Sequence, residues 1–186
     1  MRIRNDDWTM STEKVKAVIK EDRVIIDDFR RADEIHRNGF YGEFDEKGRL
    51  ILEPVEALYL VERGRLEVMD SQGRSFDFTE LVRYFSKRDK DLWVKYTIYH
   101  DLRRRGYIVK PGFSRRVEFR VYERGSNPDR EVARYLVCGV VEGIRVDFRD
   151  LARMVEDARR AKKELILAVM DRQGDIAYYA VTSISL

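Results

Sequence analysis

Few side chains in this 186-residue sequence could carry acid–base or nucleophilic chemistry. There are two histidines, His36 and His100, and one cysteine, Cys138. The histidines lie far apart and in no ligand-type spacing, so a metal site has no support, and no cofactor is expected. A Ser–His or Cys–His nucleophile would need His100 as its base, and nothing in the sequence pairs them. No GxGxxG or GxxxxGK loop occurs, so nucleotide-dependent chemistry has no support either. What stands out is a stretch of cations and aromatics. Residues 102–120, LRRRGYIVKPGFSRRVEFR, hold seven Arg or Lys and one acid, Glu118. Tyr107, Phe113, Phe119 and Tyr122 are spread through and just beyond it. Such interleaving can grip phosphates and stack on unpaired bases. A solvated helix end beside ordinary core aromatics is the more usual account of such a stretch, since charge runs mostly solvate and aromatics mostly pack. Arg103, Arg104, Arg105, Lys110, Arg115 and Arg116 are the candidate RNA contacts, and RRAKK at 159–163 is a second cationic run.

The elements that must position these residues fall into two groups. Residues 11–30 mix apolar positions without a deciding period. Asp28 to Asn38 reads as a helix ending before Gly39. Residues 41–52 alternate around Lys47–Gly48 as a hairpin. Pro54 opens a second helix that stops at Gly64. Then RLEVMDSQG reads as a strand and turn, and Asp77 or Thr79 caps a helix to about Ser86. The charged SKRDKD at 86–91 marks a junction. Beyond it come a helix from Leu92 to Arg105, strands at 107–109, 117–122 and 134–141, and a helix from about Phe148 or Asp150 to Ala161. Strands at 165–170 and 176–183 follow, joined by Asp171–Asp175. The pattern predicts an α+β protein of two domains. Residues 1–88 form a small mixed domain, and residues 89–186 form one with a central mixed sheet flanked by helices.

The ordered pieces YHDLRRRGYIVKPGF, FRVYERG, YLV and KKELILAVMDRQGDIAYY resemble the archaeal tRNA-splicing endonuclease family. GRLILEPVEALYLVERGRLEV is similar to that family's first domain, so the resemblance covers about residues 40–186. It implies a nuclease that cuts precursor tRNA at bulge-helix-bulge sites without a metal, leaving a 2′,3′-cyclic phosphate and a 5′-hydroxyl. It also implies a Tyr that takes the 2′-hydroxyl proton, a His that protonates the leaving oxygen, and a Lys that steadies the phosphate charge. The Tyr falls on Tyr122. The Lys falls on Lys163, with Lys162 as the fallback. The His position, ten residues past the Tyr, falls on Val132. Valine has no proton to exchange, and no histidine follows His100. Among its neighbours, Arg130 and Arg134 cannot release a proton at useful pH, and Glu131 would need burial to hold one. Glu156 stands where the family tends to carry an Arg.

The resemblance therefore implies a structural subunit that joins a homologous catalytic chain in an α2β2 tetramer on precursor tRNA. Glu142 and Asp147 are the candidate interface acids. Two alternatives stand beside it: an active nuclease with a displaced acid, and an RNA-binding or interaction protein without cleavage. The composition fits a packed, thermophile-like protein, with 44% hydrophobic and 38% charged residues. The net charge of +3 means that basic clusters, not total charge, would hold RNA. The single cysteine points to a reducing cytoplasm, and no run of apolar residues is long enough to span a membrane.

Overall fold

A computed structural model describes residues 13–114 and 117–183, apart from the Phe113 and Ser114 side chains. The undecided first segment is a hairpin of β1 (Val15–Lys20) and β2 (Arg23–Ile26). Alternation buries Val15, Ala17 and Ile19 on one face, which is a strand signature too short for its period to show beforehand. Asp28 caps α1 (Phe29–Arg37), its carboxylate accepting the Arg30 and Arg31 amides. Then come β3 (Glu43–Phe44), β4 (Leu50–Leu52), α2 (Pro54–Glu62), β5 (Leu66–Met69), β6 (Ser75–Phe76) and α3 (Phe78–Ser86). These strands form one sheet in the order β3-β4-β2-β1-β5-β6. Of the two cap candidates, Asp77 is the one that caps α3.

The second half opens with α4 (Leu92–Arg104) and continues with β7 (Ile108–Ser114), β8 (Val117–Tyr122), β9 (Tyr135–Val141), α5 (Phe148–Arg160), β10 (Glu164–Met170) and β11 (Ile176–Val181). Its sheet runs β11-β10-β9-β8-β7, with only the β9–β10 pair parallel. Helix α4 lies on one face and α5 on the other. Phe119, Val121, Val137 and Ala168 belong to the first core, and Leu136, Cys138, Leu165 and Met154 to the second. β7 is longer than the sequence suggested, because it continues through Pro111 and Gly112 by an irregularity in its pairing with β8. Pro111 is tolerated because β7 is an edge strand. Gly112 is required because a Cβ there would sit 1.7 Å from the Val117 carbonyl oxygen.

The two halves share one core. α2 is apolar nearly all round, the mark of a helix covered on all sides. It packs on its own sheet and on α4, where Tyr59 and Tyr99 meet edge to face at 5.8 Å. Beside this seam, Glu56 spends one carboxylate oxygen on the Glu53 amide of its own helix and the other on the Gly42 amide, both at 2.9 Å. Lys110 of β7 reaches across and donates to the Gly42 carbonyl at 2.6 Å. A single residue, at φ +66, is thus held from both halves. Burial pushes the Glu56 carboxyl up and the Lys110 ammonium down, and each is opposed by the other's charge.

The folded protein therefore holds the Glu56 proton more tightly than the unfolded chain does. The stability this group adds is present below its ordinary value of 4.5 and is lost as pH rises through the higher folded value. Urea midpoints of the wild type and of Glu56→Gln, measured across a pH series, should diverge with rising pH, with the wild type losing ground. Parallel curves would show that the Glu56 proton is not held this way.

Candidate active site and comparison with known proteins

Tyr122, Val132 and Lys163, the residues expected at the family's Tyr, His and Lys positions, come from separate segments and lie at one end of the second sheet. Tyr122 closes β8, is only 6% exposed, and shares a buried cluster with Ile108 and Ala133, against which Phe40 of the first half packs. Lys163 immediately precedes β10. Its ammonium donates to the Ala133 carbonyl at 2.8 Å. That acceptor is a neutral carbonyl, so the bond is not an ion pair. Val132 precedes Ala133 and is 83% exposed. The sheet register explains the meeting: the Arg134 amide bonds the Val121 carbonyl, and the Glu164 amide bonds the Arg134 carbonyl, each at 3.0 Å.

Lys162, the fallback, is exposed and sits past the end of α5 at φ +54, a position that glycine usually fills. The Lys163 amide reaches back to the Ala158 carbonyl at 2.9 Å, which closes that helix end and aims Lys163 along β10. Two of the neighbours of Val132, Arg134 and Glu131, are engaged elsewhere. Arg134 is paired with Glu123 and, at 3.1 Å, with Glu164. Glu131 is exposed and accepts the Asn127 amide at 2.7 Å. Arg130 is exposed. Glu156 pairs with Arg159 and Arg160, whose guanidinium groups hold its carboxyl below the usual range. An acid at this position would repel a phosphate, and the two guanidinium groups beside it offset that charge. His36 contacts the Tyr41 carbonyl at 2.8 Å through Nδ1, and His100 lies 3.3 Å from Glu62. Burial, with Glu118 alongside, pushes the Cys138 thiol up to about 12, so it is no nucleophile at neutral pH.

Among the described residues, the candidate RNA contacts do not form one surface. Lys110 is 6% exposed and committed to Gly42, so it ties the halves together and is closed to RNA. Arg103 turns inward, its guanidinium 4.3 Å from the Tyr41 ring centre. Helical spacing carried this signal, since Arg103 lies four residues beyond the buried Tyr99. Arg104 and Arg105 are exposed, and both face Asp101, at 3.9 and 2.7 Å. Arg115, Arg116 and the Phe113 side chain lie outside the described residues. Of the two expected interface acids, Asp147 caps α5 through the Arg149 and Asp150 amides. Glu142 is exposed, with its amide on the Met170 carbonyl. The loop between them presents apolar groups instead: Ile144 and Val146, then Phe148 at the helix start, are exposed.

Family profiles match both halves. The profile for the tRNA intron endonuclease N-terminal domain covers residues 15–82, and that for the catalytic C-terminal domain covers residues 92–178. This chain belongs to the tRNA intron endonuclease family. It is 36% identical over 167 residues to a tRNA-splicing endonuclease of Pyrococcus furiosus, covering 90% of this chain and 95% of that protein. A tRNA-splicing endonuclease of Thermococcus onnurineus is 33% identical over 169 residues, 91% of this chain and 96% of its own length. One of Methanococcoides burtonii is 35% identical over 167 residues, 90% of this chain, but the match spans only 46% of that relative. The two matched regions agree with the expected two-domain layout and α+β class. Among the described residues, no helix of this family member is long and apolar enough to cross a membrane.

Lys163→Met removes the bond to Ala133 and should cost about 1 kcal/mol, the usual net worth of one hydrogen bond. Denaturant unfolding should show that loss, and amide exchange should quicken in residues 123–134. An unchanged loop would show that Lys163 does not hold it.

Proposed function

We propose that this chain is the structural subunit of a tRNA-splicing endonuclease, working with a homologous catalytic chain in an α2β2 tetramer on precursor tRNA in the cytoplasm. One observation carries the reading. Where Tyr122 and Lys163 come together around Ala133, the adjoining position holds an exposed Val132. A base at Tyr122 and a cation at Lys163 can begin attack by the 2′-hydroxyl and steady the phosphate. Neither delivers a proton to the leaving 5′-oxygen at Val132. When catalytic groups act as a unit, the loss of one costs orders of magnitude in rate. The alternative of a displaced acid finds little support, since His36 and His100 have partners of their own and Glu131 accepts the Asn127 amide.

The surface fits an assembly role. β11 ends its sheet and offers a strand edge, and Tyr179 on it is 56% exposed. Ile144, Val146 and Phe148 add an exposed apolar patch beyond α5's start, between Glu142 and the body of the helix.

A bulge-helix-bulge RNA separates the readings. The chain alone should leave it intact, and a mixture with a catalytic family member should cleave it, with both chains co-eluting. Val132→His, at a site exposed enough to accept the ring, should confer cleavage ending in a 2′,3′-cyclic phosphate. Cleavage by the lone wild-type chain would sink the structural-subunit reading. Neither cleavage nor association in the mixture would favour an interaction protein outside splicing.

A further inference from the structure

On the α4 face of the second sheet, past the end of the helix, is an open hollow of about 290 Å³. Three tyrosines, Tyr107, Tyr135 and Tyr178, stand around it over a floor that includes Val137 and Ile166. Each tyrosine carries a guanidinium near its ring: Arg124 at 5.1 Å from Tyr107, Arg134 at 5.3 Å from Tyr135 and Arg105 at 5.4 Å from Tyr178. The only charged residues in the lining are Arg105 and Arg124. Asp101 fixes two of these groups, taking the Tyr178 hydroxyl at 2.8 Å and the Arg105 Nε at 2.7 Å on the same oxygen. Arg124 is exposed and makes no ion pair among the described residues.

We propose that this hollow receives an unpaired base of the RNA, stacked on its tyrosines, with Arg124 and Arg105 on the adjoining phosphates. The inference rests on the reading that the chain acts on precursor RNA. Aromatic faces beside the guanidinium groups of Arg124 and Arg105 suit a base and its phosphates, because stacking tolerates any base while the guanidinium groups track the backbone. A pocket at the small end of the ligand-binding range suits one planar ring system. Its place fits as well. Val121 pairs with Tyr135, and both serve the hollow; Tyr122, the next residue of β8, points to the other face with Ala133. A strand whose phosphate lies at Lys163 can round the sheet end, past Arg134, and set a flanking base here.

The test uses the chain in complex with a catalytic family member. The probe is a bulge-helix-bulge RNA carrying 2-aminopurine at each unpaired position in turn, and the control is a fully paired duplex. For at least one position, binding should quench the fluorescence. Arg124→Ala, a surface change, should weaken the bulged RNA about tenfold, more than the duplex. Binding with no quenching at any position overturns the inference and leaves the proposed function standing. An equal loss on both RNAs does the same, since it would make Arg124 a general phosphate contact. If Arg124→Ala instead loosens the subunits and leaves RNA affinity unchanged, the hollow holds a protein side chain and the inference falls. If the wild-type complex binds neither RNA, the proposed function falls with it.

Discussion

Two adjacent strands that run parallel cannot be joined by a tight turn, and the candidate site depends on that constraint. β9 and β10 are such a pair, and α5 is the crossover between them. The chain leaves β9 at its far end, returns along α5, and re-enters the sheet where β9 began. Glu164 therefore pairs with Tyr135, and Lys163 must lie beside Ala133, thirty residues earlier in the chain. Tyr122 reaches the same corner because β8 runs antiparallel to β9. The corner is thus a product of sheet register, and its geometry survives whatever residue stands at 132.

The second constraint is the seam between the halves. Glu56 caps its own helix with one oxygen and holds Gly42 with the other, while Lys110 takes the Gly42 carbonyl. Removing either side chain would strand a buried polar group, which costs more than the bond itself returns. Gly42 has little freedom to change, since a Cβ there would sit 2.7 Å from the Ile51 carbonyl oxygen. Phe40, two residues before it, packs against the cluster that holds Tyr122, so the seam also sets one wall of the site.

The order of helices and strands in the second half was legible because long periodic segments such as Leu92–Arg104 and Leu165–Met170 declare themselves. Spacing and family resemblance are what assign Tyr122, Val132 and Lys163 to one set, and the register of β8, β9 and β10 brings Tyr122 and Lys163 to Ala133. Other features were not. Residues 15–26 were ambiguous because two short strands do not fill a period. Lys110 looked like part of a cationic surface, because a charge run says nothing about which members turn inward. Its partner, Gly42, is 68 residues away in the chain. The tyrosine hollow was invisible for the same reason. Tyr107, Tyr135 and Tyr178 come from three separate segments, and only the strand order brings them to one place.

The pairing irregularity at Pro111 and Gly112 has a consequence for how copies of this fold can grow together. It lies on β7, one of the two outer strands of the second sheet, and a proline there offers no amide to an incoming strand. The outer strands of the first sheet, β3 and β6, are two residues each, too short to template anything. Among the described residues, only β11 is regular and long enough to accept a neighbour. Two molecules joined through β11 would have no second regular edge among the described strands. Among the described edges, the kink that distorts one rim of the sheet leaves a single regular place for strand addition, an arrangement that favours a closed pair over an open series.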